Sequence, residues 1–335
     1  MLTIITVVGA AVTALMNIQA PAVAQAPAGP PPTEVFLAPL TIAGDQVTVG
    51  RPENISNSPG YDNQPFFAPD GHTLFFTSAR GSDSSTCGSP QTDVYRYDLL
   101  DRQARRVTAT PECEYSPTVT PDGRHLSVVR VEADGTQRLW RFTLDGAGPS
   151  LVLAEVKPVG YHAWLDEHRL ALFVLGQPAT LQVADTRTGK AAVVASNIGQ
   201  SIQRVPTGGV SFVQQAGERG RRTFSIARLT LENGKPVTRP LTSAVAGAAQ
   251  VHMAWAPDGT LLMAHNGMLH AWTEGGSGWR AVADLGALGL QNVTRLAVSP
   301  RGDRIAIVAT VQHGPTRLRR HGVLQPRVGV DLAAR

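Results

Sequence analysis

The chain is poor in most of the residues that would mark it for a specialised role. Of its 335 residues only 17% are charged, 6% are aromatic and two are cysteines, Cys87 and Cys113. Three lysines, Lys157, Lys190 and Lys235, stand among 30 basic residues, so the net charge of +4 comes from scattered arginines. Nucleic-acid binding needs a basic stripe or patch, and none is written here. No G-x-S-x-G, H-E-x-x-H or H-x-x-x-H spacing occurs, so neither a hydrolase nucleophile elbow nor a helical metal site is spelled out. What the chain has in quantity is turn residues: 33 glycines and 24 prolines, about one residue in six. That share is too high for a helical bundle, and it lacks the three-residue period of collagen. A hydrophobic share of 42% is ordinary for a packed core and excludes a disordered chain. Length alone suggests two domains at roughly 150 residues each, a rule that repeat folds break.

Charge is also missing from the first 33 residues, where Glu34 is the first ionisable side chain. Leu2 to Met16 is an apolar run, followed by Asn17, Gln19 and Pro21 and then an Ala/Pro-rich stretch to Pro32. An apolar core of about 15 residues followed by small residues is the pattern of a secretory signal peptide. Ala22-Val23-Ala24 offers the cleavage site. Residues 1–24 are therefore expected to be removed, with 25–33 a linker and 34–335 one domain. No Lys or Arg lies near Met1, which leaves the α-amine as the positive end. A transmembrane anchor needs about 20 apolar residues, and polar side chains intrude too early. The expected address is periplasmic or secreted, with no membrane span in the mature chain.

Internal repetition sets the fold. Asn63-Gln64-Pro65-Phe66-Phe67-Ala68-Pro69-Asp70-Gly71 runs into Leu74-Phe75-Phe76-Thr77-Ser78, and Tyr115 to Gly123 runs into Leu126 to Val129 in the same way. Met253 to Gly259 and Leu296 to Gly302 repeat the figure, with Arg301 in place of the aspartate. Two weaker copies are Tyr161 to Asp166 and Ile202 to Pro206. From Pro69 to Pro300 the five intervals average about 46 residues. In each unit an apolar strand meets a turn where proline presets φ, aspartate bonds the local backbone and glycine takes positive φ. A second apolar strand and two weaker ones follow, which is the signature of a β-propeller blade. The expectation is an all-β, six-bladed propeller of four-stranded antiparallel blades, with repeats near 61–78, 113–130, 160–175, 200–214, 250–265 and 292–309. Thr33 to Gly50 reads as two more strands. They either pair with the last blade and close the ring or contribute to a seventh blade.

The figure P-x-F-x-P-D-G-x-x-L-x-F-x-S, best seen from Pro65 to Ser78, resembles the WD40-like, or PD40, repeat of TolB-type propellers. The resemblance covers roughly Asn54 to Thr310. It implies the propeller fold and says little of activity. TolB proteins carry an α/β domain ahead of the ring, and prolyl-oligopeptidase relatives carry a hydrolase domain beside it. The sequence has room for neither, so a propeller alone is expected.

In such a blade the Pro-Asp-Gly turns join the first and second strands and share one face of the disc. Asp70, Asp122 and Asp258 sit in those turns and read as turn-formers rather than catalysts. The opposite face gathers the residues ahead of each inner strand: Tyr61, Asp62, Asn63 and Gln64; Glu114, Tyr115 and Ser116; Tyr161 and His162; Arg204; His252; Arg295. The second blade adds Arg130, Glu132, Gln137 and Arg138 from its loop between second and third strands. A ring of acidic, basic, amide and tyrosine groups suits a polar ligand or a peptide terminus. His162 and His252 occupy neighbouring registers and are candidate metal ligands or bases, but as hydrogen-bonded histidines they need no metal. No cofactor is called for. Trp164 and Trp255 read as packing between blades, and Trp140 and Phe142 as core. Arg317, Arg319, Arg320, His321 and Arg327 make the C-terminal strand locally basic, as a solvated edge would be. Export favours a Cys87–Cys113 disulfide across a 26-residue interval.

The leading functional expectation is an exported, non-catalytic protein whose polar face binds a protein, peptide or cell-envelope component. The alternative is a lyase or hydrolase of an acidic oligosaccharide, metal-dependent or not, working in the channel through His162, His252 and Arg295.

Overall fold

The computed structural model describes residues 32–310 except 59, 81–86, 88–89 and 219–220. The expected signal segment, most of the linker and the basic C-terminal run lie outside the described residues. Among those described there is no α-helix, and no helix is long and apolar enough to cross a membrane.

Six antiparallel sheets form the blades, five of them four-stranded and one carrying a short fifth strand, Glu53–Asn54, beside Glu34–Ala43. Blade 1 is built from Asp62–Phe67, Thr73–Ser78, Asp93–Asp98 and Gln103–Arg106. Blade 2 comprises Cys113–Val119, His125–Val131, Gln137–Thr143 and Ser150–Leu153. Blade 3 runs through Val159–Trp164, Arg169–Val174, Thr180–Asp185 and Lys190–Ser196. Blade 4 takes Ile198–Arg204, Val210–Ala216, Thr223–Glu232 and Lys235–Ser243, and blade 5 takes Met253–Trp255, Leu261–His265, Met268–Trp272 and Arg280–Asp284. Blade 6 begins with Gln291–Val298 and Arg304–Thr310 and is finished by the amino-terminal strands Glu34–Ala43 and Gln46–Val49. The strand from Glu34 therefore closes the ring, with Val35 opposite Val308 and Leu37 opposite Ala306, and no seventh blade forms among the described residues.

The core is divided into six apolar clusters, one at each junction between blades. The two-residue period of a strand explains how one strand serves two junctions. In blade 3, Leu170, Leu172 and Val174 pack toward blade 2, while Ala171 and Phe173 pack toward blade 4. In blade 6, Ile305 and Ile307 face blade 5, and Ala306 and Val308 face blade 1. Second strands are thus apolar on both faces and read as continuous hydrophobic runs.

The turns behave as their residues dictate. Asp70 Oδ1 accepts from the amides of His72 (2.8 Å) and Thr73 (2.9 Å), and Gly71 sits at φ +70°. Asp122 and Asp258 accept from the amides of Arg124 and Thr260 in the same way. The departure at Arg301 has its own use: its guanidinium donates to Gly71 O at 2.8 Å and ties the last turn to the first. Trp164 and Trp255 extend the theme of blade-to-blade ties. Their indole N–H groups donate to Ser127 Oγ (3.0 Å) and Ser211 Oγ (2.8 Å) on the preceding blades.

Candidate functional site

Each hairpin between first and second strands is closed by one backbone amide: Ala68, Thr120, Leu165, Val205, Ala256 and Ser299. Four residues before that amide, the same register holds Gln64, Ser116, Tyr161, Ser201, His252 and Arg295, one polar group from each blade. One residue before it stand Phe67, Val119, Trp164, Arg204, Trp255 and Val298, an apolar ring broken only by Arg204. Together with their neighbours these two rings line a central cavity of about 250 Å³, in which every position except His252 takes part.

The polar ring is tied across the channel. Arg295 of blade 6 reaches the opposite blade and donates from Nη2 to Tyr161 Oη at 2.7 Å, with its guanidinium 5.3 Å from the Tyr161 ring centroid. Its Nη1 donates to His252 Nδ1 (3.0 Å) and to Thr294 O (2.7 Å). Arginine has no acceptor, so His252 Nδ1 is bare and the proton sits on Nε2, which donates to Gln250 Oε1 at 2.9 Å. Burial and the Arg295 charge push the His252 pKa down to about 3. On the other side, Gln64 Oε1 accepts from Thr77 Oγ1 (2.9 Å) and from the Ser116 amide (3.0 Å), joining blades 1 and 2.

The backbone at this ring is not relaxed. Gln64 and Ser116 adopt φ +55° and +54°, each directly before a proline, within bulges of their inner strands. A left-handed non-glycine residue costs about 1–3 kcal/mol, and such residues gather at functional sites. The bulges displace Gln64-Pro65 and Ser116-Pro117 from the ladder and set them against the cavity.

His162 also lines the cavity but points its Nε2 at Ser127 Oγ (2.8 Å). Ser127 gives its single hydroxyl proton to Thr118 O (3.0 Å), so the histidine must donate from Nε2. Its Nδ1 is then a bare acceptor, buried and without a partner. Burial pushes the His162 pKa down to about 3. The two histidines therefore hold separate partners, and among the described residues no group of three or more His, Cys, Asp or Glu is arranged to hold a metal ion.

Several other residues assigned to the mouth by sequence are buried or paired within the protein. Asp62 is buried and paired with Arg80 at 3.2 Å; burial raises its pKa to about 6, against the pull of Ser78 and Arg80. Asn63 is buried and donates to Thr33 Oγ1. Glu114 is fully buried between Thr110 Oγ1 (2.5 Å) and Arg130 Nε (3.2 Å), and burial lifts its pKa to about 7 despite both. Arg130 stacks over Trp140 at 4.7 Å and also pairs with Glu112 at 2.8 Å. Glu132 and Arg138 pair with each other, and Trp140 Nε1 donates to Glu132. Gln137 opens the third strand of the same blade. Tyr61 and Tyr115 meet edge to face at 6.5 Å, and burial, with Tyr161 nearby, pushes the Tyr61 phenol up. Cys87 and Cys113 form a disulfide, anchoring the loop before blade 1's third strand to the inner strand of blade 2.

The sequence reading missed Ser201, Gln200 and the role of Ser127. Ser201 lies one residue ahead of the degenerate Ile202–Pro206 copy, and only the register counted from Val205 recovers it.

Of the charged groups, Arg204 and Arg295 line the cavity, and no acidic side chain does so among the described residues. Three of the five Arg295 N–H groups are engaged, all by neutral acceptors.

No protein-family model matches the chain. The protein assigned as TolB in Agrobacterium tumefaciens is similar in structure, with a TM-score of 0.59 at 16% identity over 83% of this chain and 98% of that one. TolB of Acinetobacter baumannii gives 0.52 at 11% identity, over 83% of this chain and 64% of the other. An oligogalacturonate lyase in complex with manganese also gives 0.52, at 14% identity over 78% and 80%. At these identities the shared property is the TolB-like propeller fold, and binding modules and enzymes both use it.

Proposed function

We propose that this chain is an exported, non-catalytic binding propeller whose polar face, around one mouth of the channel, docks a protein, peptide or cell-envelope component. The observation that carries the reading is the polar ring of Gln64, Ser116, Tyr161, Ser201 and Arg295 lining the cavity, with Gln64 and Ser116 set there by strained bulges. Strain kept at equivalent positions of neighbouring blades, where glycine would relieve it, favours recognition over mere solvation. The Cys87–Cys113 disulfide supports export. Amino-terminal sequencing of the mature protein should then begin at Gln25.

The enzyme reading has one observation in its favour, the excess of arginine over acid in the channel, which would suit an acidic saccharide like the substrate in the name of the manganese-bound neighbour. The donor set does not fit a metal: His252 has both ring nitrogens engaged, and His162 has Nε2 on Ser127. The mutual test is photo-crosslinking in the native envelope from Tyr115, with Arg124 on the opposite face as control. A macromolecular adduct from Tyr115 alone supports docking. Turnover of oligogalacturonate by the purified protein, abolished by His162→Ala, would replace docking by catalysis.

A further inference from the structure

Arg295 is a half-buried guanidinium with no carboxylate paired to it among the described residues. Every other arginine that crosses between structural elements near this face has one: Arg80 has Asp62, Arg106 has Asp93 and Arg130 has Glu112 and Glu114. A charge held in a partly desolvated channel without a counter-ion is costly unless something supplies one. The hydrogen bonds that hold Arg295 use both protons of Nη1 and one of Nη2. The Nε–H and the second Nη2–H stay without a partner, and two guanidinium N–H groups are what a carboxylate takes.

A further feature narrows the ligand. Beside the polar ring, Phe67, Trp164, Trp255 and Leu296 give an apolar wall. Carboxylate and apolar side chain occur together at the carboxyl end of a peptide. Arg204, three register positions further along its strand and about 10 Å on at ordinary strand rise, adds a second positive charge from blade 4.

We propose that the channel captures the C-terminal carboxylate of a peptide or protein, with Arg295 as the carboxylate-binding residue and Arg204 adding longer-range attraction. This rests on the docking reading and gives it a ligand chemistry. Tyr161 and His252 act as positioning residues: they hold the guanidinium across the channel so that its two unused N–H groups need no reorganisation to meet the ligand.

The test uses the full mature protein on an array of random-sequence peptides tethered by their amino ends, in matched free-carboxylate and amidated sets, with oligogalacturonate as a separate soluble probe. The expected result is binding to members of the free-carboxylate set at least about tenfold above their amides, loss of that difference in Arg295→Gln, and several-fold weakening in Arg204→Gln. Arg204 is exposed, so its variant tests the charge without disturbing the fold; melting curves report whether Arg295→Gln is folded, with Arg295→Lys as the alternate. Equal binding to both sets, no binding above the amidated background, or Arg295-dependent binding of oligogalacturonate alone would overturn the proposal. If Tyr115 still crosslinks a partner in folded Arg295→Gln, docking stands and carboxylate capture falls; if no partner is crosslinked from wild type, docking itself falls.

Discussion

Glu114 and Asp62 hold equivalent places in blades 2 and 1, and both are carboxylates that burial drives toward the neutral form. A carboxylate whose pKa is raised on folding favours the native state below its unfolded pKa and loses that advantage as pH rises through the folded one. For Glu114 the window runs from 4.5 to about 7. Glu114→Gln should therefore gain stability relative to wild type across that window, by on the order of 3 kcal/mol between pH 4 and pH 8, as read from urea unfolding at each pH. His162 has the opposite sign: its depressed pKa stabilises the fold above 6.5, and that contribution is lost as pH falls toward 3. Ser127→Ala should cost about 3 kcal/mol, because it strands the Trp164 and His162 N–H donors in the core. A loss under 1 kcal/mol by denaturant titration would mean that another acceptor takes them.

At the level of strands and turns, the bulge before Pro117 sets a cavity-lining residue at the expense of backbone comfort. Ser116→Gly relieves a φ of +54° and removes a buried hydroxyl without a partner, so it should stabilise the protein by about 1 kcal/mol. The Cys87–Cys113 loop works in the other direction: closing a 26-residue interval limits the unfolded chain, and Cys87→Ser should lower stability by about 3 kcal/mol under oxidising conditions. These elements also mark how much the sequence could tell. The Pro-Asp-Gly turns were legible because their chemistry is local: Asp70, Asp122 and Asp258 bond amides two residues on. Asp62 and Glu114 were not legible as buried, because their partners Arg80 and Arg130 arrive from the far end of the second strand. Ser201 was hidden by a degenerate turn, and the Arg295–Tyr161 tie joins residues 134 apart that only ring closure brings together.

The whole molecule depends on that closure. Glu34–Ala43 supplies the third strand of blade 6 and, through Val35, part of the cluster between blades 6 and 1. A chain beginning after residue 50 would leave Arg304–Thr310 unpaired along one side and open two of the six clusters. It should lose the cooperative melt of the mature protein rather than show a modest shift, since each blade buries its faces only against its neighbours. Retention of a single sharp transition by calorimetry would show that the ring does not need its closing strands. Closure also fixes the function argued here, because Arg295 comes from the blade the amino terminus completes, and Tyr161 from the blade opposite.

On the docking reading the partner sits at the polar mouth and not on the Pro-Asp-Gly face. Amide hydrogen exchange of the mature protein, with and without the partner recovered by crosslinking, tests it directly. Added protection is expected in the segments 60–64, 114–116, 160–162 and 291–295. Protection confined to the turns around Asp70, Asp122 and Asp258, with the mouth unchanged, would contradict it.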